Sequence, residues 1–373
     1  SSKEINVTSP EEINVTRPVE DKSDSTNKQK TELNQDQNQI AEAQKYKGLN
    51  IILSKNIKVL ISKNDDPKIV NQFLNIIELA VYKRKIEDIS FNIHVYDNNS
   101  DLIKYLKNNL DPGTVFFGPI STENTMELNK FCKDGVLFFS FSSNISLAND
   151  CVFLINFFPH NEIKTIFDYL PDDSNVAVIY PENTYGYKIN ETVDVVSQNS
   201  NSVIVNRASY KENLQDIRSA IKELGKYELR KYELNRQKQI LSSKKDEKSK
   251  KRLKKLERFK TTSDYDFTHI LIADYGLNLL QVAPLLPYYD IDPNIVQFMG
   301  TGVIDDKTFF YEPSLQGAIF PGIPETNRIN IINNYMEIYD DEFLRISTLP
   351  YDLIGLINFI YTKEYKLGDV IKL

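Results

Sequence analysis

The chain has 373 residues, 41% apolar and 11% aromatic, which is enough apolar material for a real core and enough length for two domains of ordinary size. A formal charge of −7 argues against a nucleic-acid binder as the overall reading. With no run of about 18 apolar residues there is no transmembrane helix to expect. Two cysteines at the wrong spacing for a zinc clip, with only three histidines, make a metal site a poor reading, and no cofactor is expected.

Residues 1–48 are polar, rich in Asn, Gln, Lys, Glu and Ser, and read as a disordered tether, because such a segment buries too little apolar surface to offset its ordering entropy. Within it Glu4-Ile-Asn-Val-Thr-Ser-Pro10 is echoed by Glu12-Ile-Asn-Val-Thr-Arg-Pro18. The repeat is either plain low-complexity sequence or a duplicated peptide that adds a strand to a partner's sheet edge. Ser1 follows neither an initiator Met nor a signal pattern, so the chain reads as a processed or trimmed product.

From residue 49 the pattern becomes strand and helix in turn. Strands are expected at Ile57–Ser62, Ile89–Tyr96, Val115–Phe117, Val136–Phe141 and Val152–Phe157, with helices at Pro67–Arg84, Asp101–Asn109 and Thr122–Lys133 between them. A second round follows, with helices at Asn161–Leu170, Tyr187–Gln198 and Leu214–Leu224 and strands at Val176–Tyr180, Val203–Ala208, Phe267–Ala273 and Ile295–Gly300. A helix over Leu277–Tyr288 is expected to be interrupted by Pro284 and Pro287. Helices over Ile329–Tyr339 and Tyr351–Tyr365 are placed to return to the first unit. Strict alternation implies parallel sheets covered by helices. Two runs, Val115-Phe-Phe-Gly-Pro-Ile-Ser-Thr122 and Asn175-Val-Ala-Val-Ile-Tyr-Pro-Glu-Asn-Thr-Tyr-Gly186, end abruptly in Gly, Pro and hydroxyl residues. Ligands sit at such strand ends in open α/β sheets. Two sets imply two α/β lobes with a cleft between them: lobe 1 at 49–158 plus 325–373, and lobe 2 at 159–324.

Lobe 2 carries a charged helical insertion, 225–262. Between Lys226 and Lys260 there are fifteen Lys or Arg against five Asp or Glu, a local charge of +10 that leaves −17 for the remainder. The simplest reading is a projecting helical hairpin, either a solvated excursion or a basic surface for an anionic partner such as lipid headgroups, cell-wall polymer or an acidic protein face. Cys132 and Cys151 are either two buried thiols or one disulfide.

The order of elements resembles the type I periplasmic-binding-protein fold, and within it the penicillin-binding-protein activator branch of Gram-negative envelope lipoproteins. The resemblance rests on Phe117-Gly-Pro-Ile120, Leu137-Phe-Phe-Ser-Phe-Ser142, Ala177-Val-Ile-Tyr-Pro181 and Phe267-Thr-His-Ile-Leu-Ile272. It continues through Ala283-Pro-Leu-Leu-Pro-Tyr-Tyr289, Gly300-Thr-Gly302, Glu312-Pro-Ser-Leu-Gln-Gly-Ala318 and Leu349-Pro-Tyr-Asp-Leu353. The chain departs from that pattern after the first strand, where Ser62-Lys-Asn-Asp-Asp-Pro67 replaces a Gly-containing, Ser-bearing loop, and at its end, where further strands are the family's habit.

The resemblance implies a non-enzymatic regulator or scaffold of cell-wall synthesis, held in the periplasm by an inferred lipid anchor on the outer membrane, with membrane contact through that anchor only. Its partner would be an envelope protein such as a cell-wall synthase. The alternative is a solute receptor of an ABC importer for an amino acid or similar small polar ligand. Under that alternative the matching cleft positions are Ser121, Thr122, Ser142 and Ser143 in the first lobe and Tyr185 and Asp274 in the second, with Ser62, Asn64 and Thr301 completing the set. Each of these also reads as an ordinary strand-end turn residue. Catalysis is disfavoured: the chain has no nucleophile elbow, phosphate loop or paired-His motif, and His94, His160 and His269 are scattered.

Overall fold

The structure, a computed structural model, describes residues 50–373. The tether expected over 1–48 and its repeat lie outside the described residues.

The first sheet grows around β1 (Asn56–Ser62), whose apolar residues are buried on both faces, as a central parallel strand requires. It passes into α1 (Pro67–Arg84), where the Asp66 carboxylate accepts from the Lys68 and Ile69 amides and Pro67 fills the first turn. Then come β2 (Ser90–Tyr96), α2 (Asn99–Lys107), β3 (Val115–Phe117), α3 (Thr122–Thr125), β4 (Leu137–Ser140) and β5 (Val152–Leu154). All five strands are parallel, in the order β2-β1-β3-β4-β5.

The second sheet follows the same logic. Its elements are α4 (Pro159–Tyr169), β6 (Asn175–Pro181), α5 (Thr184–Ser197), β7 (Val203–Tyr210), α6 (Ile217–Leu224), α7 (Tyr227–Ser242), α8 (Glu247–Leu256), β8 (His269–Ile272), α9 (Gly276–Val282), α10 (Leu285–Tyr288), β9 (Gln297–Gly300) and α11 (Lys307–Phe310). The strands are again all parallel, ordered β7-β6-β8-β9. The chain then returns to the first sheet. In α12 (Glu325–Tyr339), Ile331 and Tyr335 pack with Ile76 and Leu79 of α1. In α13 (Thr348–Thr362), Leu353, Ile354 and Ile357 join the core beneath β1 and β3. A last turn, α14 (Leu367–Val370), follows Lys366, which forms an isolated antiparallel bridge with Ile52 ahead of β1.

Three expectations are corrected. The helix over Thr122–Lys133 is split into α3 and a 3-10 segment at Leu128–Asp134. The Thr125 hydroxyl explains the break: it donates to the Ser121 carbonyl at 2.7 Å and bonds the Ser140 hydroxyl at 2.6 Å, tying the turn to the end of β4. The strand expected to run to Phe157 stops at Leu154, because the Asn156 side chain donates to the Phe141 carbonyl and accepts from the Phe157 amide. The helix expected from Leu214 begins at Ile217, since Leu214 is in the left-handed region at φ 60° and the Asp216 carboxylate closes a turn on the Lys211 amide.

The hairpin α7–α8 forms as the charge pattern suggests and is anchored at its base. Arg230 is 3% exposed; it donates to the carbonyls of Gly225, Thr262, Tyr289 and Asp290 and to the Thr261 hydroxyl, with its guanidinium 4.6 Å from the centre of the Tyr265 ring. Cys132 and Cys151 are joined by a disulfide with Cα atoms 5.2 Å apart, linking the 3-10 segment to the start of β5.

Candidate ligand cleft

The two sheets present the C-terminal ends of their strands to one another across a cavity of about 570 Å³. The first-lobe side contributes Ser143 and Asn156, and the second contributes Tyr185 on α5, Tyr275 at the mouth of α9, and Asp305, Asp306 and Phe309 beyond β9. Phe157, Glu162 and Arg345 line its back.

That back wall is a charge network joining the segments that cross between the lobes. Arg345 Nη2 lies 2.9 Å from Glu162 Oε1, its Nε is 3.9 Å from Asp305 Oδ2, and its guanidinium is 3.6 Å from the centre of the Phe157 ring. Arg328 Nη2 meets Asp305 Oδ1 at 2.5 Å, and Glu162 Oε2 accepts from the Gly302 amide at 3.2 Å. Gly302 is required here by close approach: a Cβ would fall 2.3 Å from both Arg345 Nη2 and Glu162 Oε1. Arg345 is itself positioned from the first lobe. The buried Gln72 of α1 donates to the Glu342 carbonyl and accepts from the Leu344 amide and the Ser347 hydroxyl, pinning the segment that carries it.

Of the nine residues picked from the sequence, Ser143 and Tyr185 line the cavity. Thr301 and Asp274 lie beneath it. The Tyr185 and Thr301 hydroxyls are 2.6 Å apart, and Asp274 accepts from the Tyr210 hydroxyl and the Tyr275 amide. Burial raises the Asp274 carboxyl above its ordinary value and raises the Tyr185 and Tyr210 phenols as well. On the opposite rim the Thr122 and Ser142 hydroxyls bond each other at 2.9 Å, and Ser121 caps α3 through the Asn124 amide. Ser62 and Asn64 stay outside the cavity. The Ser62 hydroxyl accepts from the Asn64 amide, and the Asp65 carboxylate accepts from the Ser62 amide, so the charged loop closes on itself.

Sequence reasoning missed Asn156, Tyr275, Asp305 and Arg345. Tyr275 directly follows Asp274 at a strand end, and Asp305 follows the Gly300-Thr-Gly302 turn, so both were within reach of the same strand-end argument. Arg345 arrives from a return segment and has no local signal. His94 stacks on Tyr105 at 3.5 Å in β2 and α2, and His269 Nδ1 meets the Thr268 hydroxyl at 2.8 Å in β8, both away from the cavity. Burial lowers both imidazoles from their usual value. Among the described residues there is no cluster of His, Cys, Asp or Glu able to hold a metal ion and no helix long and apolar enough to cross a membrane. A larger hollow of about 820 Å³ lies on the flank of the first lobe, between α1 and β2, lined mainly by apolar side chains such as Val81, Phe91 and Ile93. It is remote from the strand ends and lacks the converging polar groups of the cleft, which makes the smaller cavity the better candidate.

No protein-family model matches the chain, and no curated protein matches it either. Solved structures do match. A protein described as a branched-chain amino acid ABC transporter from Rhodospirillum rubrum aligns over 86% of this chain and 89% of its own, with 13% identity and a TM-score of 0.60. An ABC transporter substrate-binding protein from Desulfitobacterium hafniense in complex with leucine aligns over 85% and 87%, with 13% identity and a TM-score of 0.52. A solute binding protein from Rhodopseudomonas palustris in complex with 3,4-dihydroxybenzoic acid aligns over 85% and 84%, with 13% identity and a TM-score of 0.55. The chain therefore has the two-lobed type I periplasmic-binding-protein fold: two parallel sheets flanked by helices, with a basic helical hairpin inserted in the second.

Proposed function

We propose that this chain is a non-enzymatic binding protein that takes a small polar organic solute, of amino-acid type, between lobe 1 (49–158 plus 325–373) and lobe 2 (159–324). The observation that carries this reading is the cavity of about 570 Å³ at the facing strand ends, with an aromatic pair, Tyr185 and Tyr275, in edge-to-face contact at 4.9 Å on one side and Ser143 and Asn156 on the other. Of its lining acids, Glu162 and Asp305 are engaged by Arg345 and Arg328, which leaves Asp306, with no ion pair among the described residues, to suit an ammonium group, while the rings suit an apolar body. Structural neighbours hold leucine and 3,4-dihydroxybenzoic acid, solutes of that size. A disulfide, and a neighbour described as a periplasmic ligand-binding protein, support an oxidising, periplasmic setting.

A second reading, a regulator of cell-wall synthesis tethered to the outer membrane by a lipid anchor, draws support from the first-lobe rim. There Thr122, Ser142 and Ser62 spend their hydroxyls on one another and on local backbone rather than leaving them open. A thermal-shift and calorimetric screen of the full chain against the twenty amino acids and aromatic carboxylates separates the two. The receptor reading expects one solute class to raise the transition and Tyr275→Ala to abolish that rise. If every solute is silent and affinity capture recovers a cell-wall synthase, the receptor reading falls and the regulator reading stands.

A further inference from the structure

We propose that the α7–α8 hairpin is a second binding surface, independent of the cleft, and that it docks on a layer of anionic lipid headgroups. This goes beyond the reading of the cleft and adds a membrane contact to any terminal anchor. Three observations carry it.

The first is the arrangement of apolar groups. The inner faces of the two helices are already covered, with Leu234 and Ser249 buried and Arg230 spent on the anchor at the base. Leu229, Tyr232 and Ile240 face away, 56%, 62% and 49% exposed, and with Arg236 they follow the spacing that puts residues on one helix face. Phe259, 55% exposed, extends the apolar surface at the base of the hairpin. α7 has 16 residues and is thus about 24 Å long, which gives the stripe its extent.

The second is the charge beside the stripe. The hairpin carries +10 while the rest of the chain carries −17, so one projection holds the molecule's positive pole. Lys248, Lys251, Lys254 and Lys255 of α8 form no ion pair among the described residues, whereas Lys250 is spent on Glu247 and Arg236 on Glu233. Outward apolar side chains flanked by long basic ones match a surface that is apolar below and anionic above, with lysine stems reaching up to the charged level.

The third is the kind of cation. The segment has eleven lysines and four arginines, and one of those arginines, Arg230, is buried as the anchor. Lysines on flexible stems offer diffuse point charges, suited to a fluid array of headgroups, whereas a specific protein carboxylate or a nucleic-acid base edge is better met by the rigid guanidinium fork.

The test is flotation of the full chain with vesicles of phosphatidylcholine alone and vesicles in which a third of the lipid is phosphatidylglycerol, at low and high salt. The expected result is flotation with the anionic vesicles only, weakening as salt rises. The combined variant Lys251→Glu, Lys254→Glu, Lys255→Glu should bind at least about 100-fold more weakly, taking roughly fivefold for each lysine removed from an anionic surface. The combined variant Leu229→Ser, Tyr232→Ser, Ile240→Ser should keep the salt-sensitive encounter and lose the binding that persists at high salt. All six side chains are exposed, so both variants should keep the wild-type unfolding midpoint and any solute response, which separates failure here from failure of the cleft reading. The proposal is overturned if the chain floats with neither vesicle, if it floats equally with both, or if neither variant changes flotation. It is also overturned if soluble polyglutamate binds as tightly as the anionic vesicles, which would assign the surface to an acidic protein face.

Discussion

Replacing Arg345 with Met removes the cation on which the crossing segments converge while leaving an apolar stem over Phe157. The side chain is 15% exposed, its partners Glu162 and Asp305 are 13% and 3% exposed, and the closest contact is 2.9 Å. Removing one member of a fully buried pair costs about 3–5 kcal/mol, because the other charge is left without a partner. Here the loss is smaller, since Asp305 keeps Arg328 and the Ile323 amide, and Glu162 keeps the Gly302 amide. Arg345→Met should therefore destabilise the protein by about 2–3 kcal/mol. Chemical denaturation measures that loss, and a double-mutant cycle with Glu162→Gln isolates the pair, with an expected coupling of about 1–2 kcal/mol. Gly302→Ala attacks the same contact from the backbone side and should give a similar penalty, less than additive with Arg345→Met. A loss below about 0.5 kcal/mol for Arg345→Met, or a coupling indistinguishable from zero, would refute the view that this network holds the lobes together.

Three further outcomes are expected. Arg230→Met leaves buried carbonyls without their donor and should cost about 3–5 kcal/mol, with hydrogen exchange rising first at the base of the hairpin; exchange unchanged there would reject the anchoring role. Reducing Cys132–Cys151 frees a loop of 19 residues and should destabilise the first lobe by about 3 kcal/mol, seen as a lowered melting midpoint in dithiothreitol that is absent from Cys132→Ser/Cys151→Ser. Burial raises the Asp274 carboxyl, so its contribution to stability is fully present below the unfolded carboxylate value of about 3.9 and is lost as pH rises through the raised folded value. Wild type should accordingly lose stability relative to Asp274→Asn on going from acid to neutral pH, and a pH-independent difference between the two would contradict the assignment.

The sheets and their helices were legible because each strand is a short β-branched or aromatic run closed by Gly, Pro or hydroxyl residues, and each long helix repeats its apolar residues at helical spacing. Pro67–Arg84 could be read to the residue because Asp66 and Pro67 mark one end and basic residues the other. The same periodicity argument failed at Thr122–Lys133, where the decisive bond runs from Thr125 to Ser140, a partner that a local pattern does not contain. The cleft was legible only in part, for a related reason. Tyr185 lies in the first turn of the helix that follows β6 and Ser143 on the loop that follows β4, so the strand-end rule finds them. Arg345 enters the cavity through the hold of Gln72 on its segment, two elements far apart in sequence.

The way the polar groups are already spent determines where discrimination in the cleft must arise. On the first-lobe rim the Ser121, Thr122 and Ser142 hydroxyls each have a protein partner, so a ligand hydrogen-bonding to them must first break a bond of roughly equal worth and gains little net affinity. On the second-lobe side the Tyr185 hydroxyl is held by Thr301, which fixes its ring before any ligand arrives, and Asp274, capped by Tyr210, holds the Tyr275 backbone amide. Rigid aromatic faces contribute contact area at little entropic cost. A solute should therefore be selected by the fit of its apolar body between Tyr185, Tyr275 and Phe309, with Asp306, the lining acid that forms no ion pair among the described residues, left to meet its charge. On that basis lengthening or branching a side chain should change affinity more than exchanging one hydrogen-bonding group for another, the reverse of what a rim of open hydroxyls would produce.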